Sequence, residues 1–267
     1  DVAPAALPEQ VQALFADTSY FSTGSRYGTI TILSGGLPVE VTTFRREGAY
    51  TDHRRPDQVE FTPRLEDDLA RRDFTINAMA WGREGLVDLY GGQRDLIRRQ
   101  VRCVGDPDRR FGEDALRLLR GLRLAAQLEF TLEPDTAAAI RYHLPELSHV
   151  AWERICTEFL RLICSPGAGR ILLDFPEMAA QVLPELGPAV NFDQRNPHHR
   201  YDVYTHSVKA LELVPPVPSL RLAALLHDVG KPVTFTADWE GVGHFYGHAE
   251  AGVPLAEQAL ERLRVSR

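Results

Sequence analysis

The sequence has almost no lysine, few cysteines and no long apolar run. Lys209 and Lys231 are the only lysines among its 30 basic residues, so nearly every cation is a planar arginine guanidinium. A guanidinium suits phosphates and base edges, although a GC-rich genome would produce the same arginine excess. No stretch reaches the roughly 18 apolar residues that span a bilayer, and the first residues resemble neither a signal peptide nor a basic leader. We therefore expect a soluble, cytoplasmic protein that does not cross a membrane.

The composition is that of an ordinary globular protein with two or more domains. The 267 residues are 44% hydrophobic and 25% charged, which is enough for a sizeable core. Cys103, Cys156 and Cys164 form no CxxC pair, so we expect buried free thiols. The net charge of -7 argues against a general polyanion binder. The basic side chains concentrate in residues 41–127, which hold 17 of the 30, but arginine content alone does not decide the function.

The first hundred residues predict a small α/β unit. Residues 5–16 have apolar side chains at helical spacing, and the β-branched runs 27–33 and 37–44 flank a Ser-Gly-Gly turn typical of a hairpin. Glu40 lies in the second run, on the face opposite its valine neighbours. The polar, turn-rich segment 48–61 predicts a mobile loop. Residues 85–92 predict a strand that ends in a glycine turn, and residues 93–100 a short helix.

A charged stretch at residues 67–80 precedes an apolar one. Its centre is Arg71, Arg72 and Asp73, followed by Phe-Thr-Ile-Asn-Ala. By itself such a stretch is most often a solvated turn. The alternative is a polar pocket at the mouth of a half-buried strand or short helix.

Residues 106–126 predict one helix with acidic capping residues at its start. Asp114, Arg117 and Arg120 follow at steps of three, which would put them on adjacent turns of one helix face. An intrahelical ion pair is the simple interpretation, and it contributes only a few tenths of a kcal/mol. The alternative is an acceptor and a forked donor that together read the edge of a nucleotide base. Further helices are predicted at residues 134–142, 150–165 and 168–175.

The last third of the chain contains histidines with metal-ligand spacing. His206 precedes the adjacent pair His227 and Asp228, and His248 follows, with His244 as a weaker candidate. Adjacent His and Asp at a helix end can reach one divalent cation, and His206 can supply a third ligand. The pattern resembles the start of an HD metal-dependent phosphohydrolase domain, whose usual distal aspartate would lie beyond the last residue. His248 would complete the site or contact phosphate.

Three separated motifs resemble the class II tRNA nucleotidyltransferases, the CCA-adding enzyme and poly(A) polymerase family of the polymerase β superfamily. They are RRDFTINAMA at residues 71–80, DPDRRFGEDALRLLRGLR at residues 106–123 and the ERI..E helix at residues 153–158. The resemblance covers most of the first two thirds of the chain. It implies an α+β nucleotidyltransferase head, an all-α neck and body, and then a helical HD domain, with boundaries at 1–104, 105–190 and 191–267.

The resemblance also implies roles for individual residues. Arg71, Arg72 and Asp73 would contact the sugar and triphosphate, and Asn77 would shape the same pocket. Asp114 and Arg117 would read the base of ATP or CTP, with Arg110 and Arg120 beside them. The substrates would be CTP, ATP and the acceptor end of tRNA, and the products CCA or its terminal A. A CC-only enzyme, a poly(A) polymerase and an HD phosphohydrolase that acts on RNA ends or nucleotides are the alternatives.

The start of the chain departs from the family pattern. The family opens with a glycine-rich strand and a DxD metal site, and Asp1 corresponds to the second aspartate of that site. Two-metal phosphoryl transfer needs carboxylates that hold Mg²⁺. We therefore expect the chain as written to be truncated or inactive. Glu40 is the candidate for the remaining catalytic carboxylate, although an exposed hairpin glutamate is nearly as good an interpretation. The sequence leaves the oligomeric state open.

Overall fold

The computed structural model describes residues 2–24, 27–48 and 59–264. The helices are α1 (Pro8–Leu14), α2 (Leu65–Ala70), α3 (Gly92–Ile97), α4 (Pro107–Glu113), α5 (Leu116–Leu128), α6 (Pro134–His143), α7 (Trp152–Ile163), α8 (Ala168–Asp174), α9 (Pro176–Val182), α10 (Val203–Leu213), α11 (Pro218–Leu226), α12 (Lys231–Thr234) and α13 (His248–Arg262). The strands are β1 (Tyr20–Gly24), β2 (Thr29–Ser34), β3 (Leu37–Thr42), β4 (Arg45–Glu47), β5 (Val59–Phe61), β6 (Met79–Gly82), β7 (Gly85–Asp88), β8 (Gln100–Val101), β9 (Thr131–Leu132), β10 (Thr236–Ala237) and β11 (Gly243–His244). Short 3-10 helices cover Thr75–Asn77, Leu144–His149 and Pro184–Ala189.

The chain divides into two compact units. The first consists of Asp1–Ile97 and Arg102–Asp114, and the second of Arg98–Val101 and Ala115–Arg267. The first unit combines short strands with helices, and the second is almost entirely helical. The predicted fold class, an α+β head followed by helical parts, is confirmed.

The hairpin predicted near the start of the chain is the centre of a three-stranded antiparallel sheet in the order β1-β2-β3. Ile30, Ile32 and Val41 point to one face of this sheet and are buried against Val11 of α1. Alternation along the strands therefore puts Glu40 on the other face, where it is exposed and lies opposite Thr31. The predicted helix over residues 5–16 is present in a shorter form, because Pro8 begins α1.

The loop prediction over residues 48–61 is wrong for the last three residues. Val59–Phe61 forms β5, which pairs antiparallel with β4. The apolar side chains at Val59 and Phe61 suit a strand, a signal hidden by the polar residues before them. Residues 49–58 lie outside the described residues.

The RRD stretch ends α2 and leads into a 3-10 helix and the β6-β7 hairpin. Phe74 is fully buried and bridges antiparallel to Cys103. The strand predicted over residues 85–92 ends earlier, at Asp88, whose carboxylate accepts hydrogen bonds from the backbone N–H groups of Gly92 (2.8 Å) and Gln93 (2.9 Å). These two hydrogen bonds cap the start of α3 at Gly92. Glycine is needed at this position because any side chain would clash with the Thr75 carbonyl oxygen.

The single helix predicted over residues 106–126 is wrong, because two helices cover this segment. Asp106 caps α4 by accepting a hydrogen bond from the Asp108 N–H, and α4 ends at Glu113. Asp114 is extended, with φ -146° and ψ 104°, and α5 begins at Leu116. Asp114 therefore does not share a helix face with Arg117 and Arg120. Aspartate has low helix propensity and favours helix ends, and a periodicity count does not register this break.

The second unit is a helical assembly around a continuous apolar core. Leu118 and Leu122 of α5, Phe159 of α7 and Ile171 of α8 are fully buried. Each such side chain contributes roughly 1.5–3 kcal/mol when it leaves water. The helices predicted over residues 134–142, 150–165 and 168–175 are confirmed as α6, α7 and α8.

The described residues include no helix that is long and apolar enough to cross a bilayer. The three cysteines are free, as expected. Cys103 is buried, while Cys156 and Cys164 are only partly buried. Burial raises the pKa of the Cys156 and Cys164 thiols, so the protonated form is favoured at neutral pH.

Candidate nucleotide and metal sites

One buried carboxylate organises the arginines of the RRD stretch. Arg71 donates through Nε (3.0 Å) and Nη2 (2.7 Å) to Oδ1 of Asp68. Arg72 donates through Nη2 to Oδ2 of Asp68 at 3.2 Å. Asp68 lies on α2, three and four residues before these arginines, so one helical turn brings all three together. Its side chain is 1% exposed, and it was missed as a site residue although its spacing to the two arginines is a readable signal.

Asp73 is fixed by the turn that follows the two arginines. Its Oδ1 accepts hydrogen bonds from the Phe74 N–H (2.9 Å) and from Asn77 Nδ2 (3.4 Å). Arg72 donates through Nη1 to the Asn77 carbonyl at 3.2 Å. The structure thus brings Arg71, Arg72, Asp73 and Asn77 together in one turn of the first unit.

A cleft of about 370 Å³ opens beside Arg71. Four arginines and two acids are among its lining residues, which are Arg46, Asp67, Ala70, Arg71, Tyr90, Val104, Gly105, Arg109, Arg110 and Glu113. Arg46 pairs with Asp67 at 2.8 Å, and the Arg46 hydrogen bond lowers the pKa of the Asp67 carboxyl. The cleft therefore has a concentration of planar cations, one of which is paired with Asp67.

Arg110 holds the end of α2 in place. It donates through Nη2 to the Ala70 carbonyl (2.7 Å) and through Nη1 to Glu113 (2.7 Å), and longer bonds reach the carbonyls of Arg71 and Val104. Helix ends leave carbonyls without partners inside the helix, and a guanidinium supplies the missing donors. Arg110 thus lines the cleft and also supports the backbone on which Arg71 is placed.

The residues predicted to read the base occupy two different local structures. Asp114 is the extended residue after α4. Arg117 lies in the first turn of α5 and is buried, and Arg120 follows one turn later and is partly buried. The ERI..E helix is α7, in which Glu158 accepts a 2.6 Å hydrogen bond from Arg123 Nε. That pair is almost fully buried within the second unit, so it connects α5 to α7.

Glu40 and Asp1 are the predicted catalytic carboxylates. Glu40 lies on β3 with its side chain exposed. Asp1 lies outside the described residues, so its prediction has no structural counterpart.

The predicted histidines and aspartate of the last third meet at one point of the second unit. Asp228 Oδ2 lies 3.1 Å from His227 Nε2 and 3.5 Å from His206 Nε2, and Asp228 Oδ1 lies 3.5 Å from His248 Nε2. One ligand atom each from His206, His227 and Asp228 lies within 4.8 Å of the others. Residues from α10, the end of α11 and the start of α13 thus converge on one carboxylate.

Backbone carbonyls orient two of these imidazoles. Nδ1 of His227 donates to the Ala224 carbonyl, and Nδ1 of His248 donates to the Phe245 carbonyl, each at 2.8 Å. In both rings Nε2 is the atom that faces Asp228. In the neutral ring a proton on Nδ1 leaves the Nε2 lone pair free for a metal ion, whereas in the protonated ring of His227 Nε2–H donates to Asp228. Imidazole nitrogens and a carboxylate directed to one point suit a divalent transition-metal ion.

A buried lysine completes the cluster. Lys231 Nζ lies 2.8 Å from Asp228 Oδ2, donates to Gln194 Oε1 at 2.9 Å, and lies over the ring of Phe245. Burial by itself would raise the pKa of Asp228, but hydrogen bonds from His227 and Lys231 hold it below its usual value. The hydrogen bond to Asp228 raises the pKa of His227, whereas burial lowers the pKa of His206. Lys231 was missed, although it follows His227-Asp228 within four residues.

A glycine allows α13 to approach this cluster. A side chain on Gly230 would meet the His248 carbonyl and come within 2.7 Å of the Gly252 N–H. The backbone of α13 can therefore lie directly against Gly230, which brings His248 to Asp228.

A pocket of about 490 Å³ opens over the cluster. Its lining residues are Asn196, His199, His206, His227, Asp228, Lys231, Gly243, His244, Phe245, Tyr246 and His248. Three cluster histidines line it, and their imidazoles are partly exposed. A small anionic substrate could therefore reach the carboxylate and its cationic partners from solvent.

Three family models match successive parts of the chain. The poly A polymerase head domain matches residues 1–102, the probable RNA and SrmB-binding site of polymerase A matches residues 129–189, and the HD domain matches residues 199–267. The head-domain match includes Asp68, Arg71 and Arg72, and the HD-domain match includes the Asp228 cluster.

Several known proteins similar to this chain are CCA-adding enzymes. One from Bacillus licheniformis is 49% identical over 173 residues, which are 64% of this chain and 43% of that protein. Another from Levilactobacillus brevis is 47% identical over 65% of this chain and 44% of its own length. The chain thus matches less than half the length of these relatives.

A crystal structure of the Bacillus stearothermophilus CCA-adding enzyme in complex with CTP superposes with a TM-score of 0.67 and 30% identity, covering 98% of this chain and 59% of that one. The three family models and these similarities agree with the motifs at residues 71–80, 106–123 and 153–158. The chain therefore belongs to the CCA-adding enzyme and poly(A) polymerase family of nucleotidyltransferases, in a form that carries an HD domain.

Proposed function

We propose that the first unit binds CTP and ATP in a template-independent addition of CCA, or its terminal A, to the 3′ end of tRNA. The observation that carries this proposal is the pair Arg71 and Arg72, held by the buried Asp68 beside an arginine-lined cleft. A triphosphate needs forked cations that are already in position, and an arginine fixed by a carboxylate loses little conformational freedom on binding. The similarity to CCA-adding enzymes, one of them in complex with CTP, supports the same activity.

In the proposed reaction the tRNA 3′-hydroxyl forms a bond to the α-phosphorus of the nucleotide and loses its proton. The bond between the α-phosphorus and the bridging oxygen breaks, and pyrophosphate leaves. Arg71 and Arg72 would neutralise the triphosphate, Asp73 would accept a ribose hydroxyl, and Arg110 would keep the end of α2 in place. The roles of Asp114, Arg117 and Arg120 toward the base stay predictions from the resemblance, as do Mg²⁺, Asp1 and Glu40.

Incorporation of labelled CTP and ATP, each added separately, tests this proposal. The full-length protein is given tRNAs that end at the discriminator base, at C or at CC. The family resemblance implies that CC-only members lack a loop between the hairpin and the RRD motif, and this sequence has the polar segment 48–61 at that place. We therefore expect A to be added to the CC end. Addition of two cytidines and nothing more would make the protein a CC-only enzyme, and long A tails on unrelated RNA would make it a poly(A) polymerase.

A matched pair of variants connects the activity to the proposed residues. Arg72→Ala removes a cation fixed by Asp68, and Arg83→Ala removes an exposed cation in the β6-β7 turn. We expect incorporation to fall at least about tenfold in Arg72→Ala, since a charge-assisted bond contributes about 1.5–3 kcal/mol. Arg83→Ala should behave as the wild type. An equal loss in both variants would contradict a specific role for Arg72.

We propose that the Asp228 cluster binds a divalent cation and hydrolyses a phosphoester. The convergence of His206, His227 and Asp228 within 4.8 Å, with His248 beside them, supports this second function. A cation held there would offset phosphate charge and lower the pKa of a bound water. In such a hydrolysis water adds to phosphorus, the ester bond breaks, and the leaving oxygen takes the proton that water releases.

Calorimetric titration with Mn²⁺ tests the metal site. Asp228→Asn should remove one binding event that the wild type shows, because the carboxylate contacts every other member of the cluster. His198→Ala is the control, since His198 is exposed in the nearby segment and does not line the pocket. The same Mn²⁺ stoichiometry in the wild type and Asp228→Asn would contradict the proposal.

A further inference from the structure

An exposed aromatic ring stands at the mouth of the Asp228 pocket. Tyr246 follows β11 by two residues and is 78% exposed. Its ring stacks on the imidazole of His244, with the ring centroids 5.4 Å apart and the planes 11° from parallel. One face of the tyrosine is therefore covered by a flat ring, and the side chain as a whole is open to solvent.

The imidazole beneath Tyr246 is itself held in place. His244 Nε2 contacts Asp238 Oδ2 at 3.0 Å, and this contact helps to lower the pKa of the Asp238 carboxyl. Asp238 Oδ1 accepts hydrogen bonds from the backbone N–H groups of Glu240 (3.0 Å) and Val242 (2.9 Å), which closes the turn between β10 and β11. The hairpin thus fixes His244, and His244 fixes the plane of Tyr246.

The stacked pair shares a pocket with the phosphoester cluster. Tyr246 and His244 line the same cavity of about 490 Å³ as His206, His227 and Asp228. A phosphate monoester would need only the cationic cluster. A flat ring fixed at the mouth suits a substrate with a flat ring of its own, because bases stack on tyrosine and histidine whatever their sequence.

We propose that Tyr246, supported by His244, stacks on a nucleobase whose phosphate reaches the Asp228 cluster. Tyr246 is then a positioning residue that favours substrates with a base, carried either by a free mononucleotide or by the phosphorylated end of an RNA. This inference rests on the phosphoester hydrolysis proposed above. The same unit contains a matched control, because Trp239 is also an aromatic side chain on this hairpin, is 91% exposed and does not line the pocket.

Phosphate release from two substrates that differ only in the base tests the proposal. The full-length protein with Mn²⁺ is assayed on adenosine 5′-monophosphate and on ribose 5-phosphate. We expect kcat/KM to be about tenfold higher for the nucleotide, as one stacked base provides. In Tyr246→Ala, kcat/KM for the nucleotide should fall to the value for ribose 5-phosphate, and the value for ribose 5-phosphate should not change. Tyr246→Phe and Trp239→Ala should keep the preference for the nucleotide. A preference that survives Tyr246→Ala would overturn the proposal.

A photo-crosslink locates the base without depending on turnover. 8-Azidoadenosine 5′-monophosphate should label the peptide that contains Tyr246 in the wild type and in Trp239→Ala, but not in Tyr246→Ala. If neither sugar phosphate nor nucleotide is hydrolysed, the phosphoester function fails, and the crosslink alone then decides whether a base stacks on Tyr246. If ribose 5-phosphate and the nucleotide are hydrolysed equally and no label appears, the hydrolytic site stands and the base platform is wrong.

A third substrate separates the two sources of the nucleotide. An oligoribonucleotide with a 3′-phosphate is compared with adenosine 3′-monophosphate under the same conditions. Faster release from the oligonucleotide would assign the site to RNA ends, and faster release from the mononucleotide would assign it to free nucleotides. Either result supports the platform as long as Tyr246→Ala lowers that rate.

Discussion

Asp68 in the first unit and Asp228 in the second are both buried carboxylates that hold several cations, yet their partners differ in kind. Asp68 is bound by two arginines, whose charge is permanent at any pH a protein meets. Asp228 is bound by imidazoles and one lysine. Imidazoles lose their charge near neutral pH, and their nitrogens are metal ligands.

This difference separates a fixed site from an exchangeable one. The arginines near Asp68 are already held by that carboxylate, so the triphosphate proposed for this unit would meet a preorganised set of donors. In the proposed metal site, a divalent ion would replace the contacts between the histidines and Asp228. A buried carboxylate would thus serve phosphate binding in one unit and metal binding in the other, if both proposals hold.

Removal of the fixed carboxylate should have the largest effect. Asp68→Ala leaves Arg71 and Arg72 without their shared partner, and we expect it to lower the free energy of unfolding by about 3 kcal/mol, the low end for a broken buried pair. CTP incorporation should fall with it. Urea denaturation measures the loss. Glu66→Ala on the same helix is the control, because its side chain is 57% exposed and its change should stay within about 0.5 kcal/mol. Equal losses in the two variants would contradict the organising role of Asp68.

Gly230→Ala should loosen the exchangeable site without touching a ligand. The added methyl would meet the backbone of α13 at the His248 carbonyl, so α13 must move. We expect a loss of about 1–3 kcal/mol in stability and at least about tenfold weaker Mn²⁺ binding. Gly82→Ala, where a methyl meets open space, is the control. Unchanged Mn²⁺ affinity in Gly230→Ala would show that the position of His248 is unimportant for the metal.

Lys231→Met tests whether the ammonium competes with a metal for Asp228. Lys231 Nζ lies 2.8 Å from Asp228 Oδ2, so its removal should tighten Mn²⁺ binding about tenfold. The same change leaves Gln194 Oε1 without its lysine donor, which should lower stability by about 1–3 kcal/mol. Titration calorimetry measures the affinity. Lys209→Met removes the other lysine, which lies in an exposed pair with Glu212, and should leave the affinity unchanged. Weaker Mn²⁺ binding in Lys231→Met would mean that the lysine supports the metal instead.

The smallest expected effect is a pH dependence confined to the second unit. The hydrogen bond to Asp228 raises the pKa of His227 above 6.5. The His227 contribution to stability is therefore fully present below the pKa that His227 has in the unfolded chain. It is lost as the pH rises through the pKa that His227 has in the folded protein. His206, whose pKa is lowered by burial, opposes it, and Lys231 and His248 share the carboxylate. Without metal, the wild type should exceed His227→Gln by a few tenths of a kcal/mol at pH of about 5.5 and less at pH of about 8.

Urea denaturation of the chelated protein at the two pH values measures this difference. His198→Gln should show no such change. A difference between the wild type and His227→Gln that is constant with pH, or that grows toward high pH, would contradict the assigned direction. Arg71 and Arg72, the charged partners of Asp68, keep their charge over this range, so the stability difference between Glu66→Ala and Asp68→Ala should stay the same.

Short-range signals predicted several elements correctly. The hairpin around Ser34-Gly35-Gly36 and the helices α6, α7 and α8 follow from spacing within ten to fifteen residues. The break at Asp114 was missed because apolar periodicity continues across it, although aspartate and glycine both weaken a helix there. The strand at Val59–Phe61 was missed because its partner, β4, lies beyond the reach of a local pattern.

The sequence by itself determined the family, the arginine and histidine motifs and the order of the domains, because these depend on residue identity and spacing along the chain. Only the tertiary structure decided that Asp68 and Asp228 are the buried centres, that Lys231 pairs with Asp228, and that Tyr246 stacks on His244 at a pocket. Burial is the physical reason. In water the attraction between a carboxylate and a neighbouring cation is weak. In a buried site the same attraction is stronger, and a buried carboxylate needs cationic partners to offset its loss of hydration.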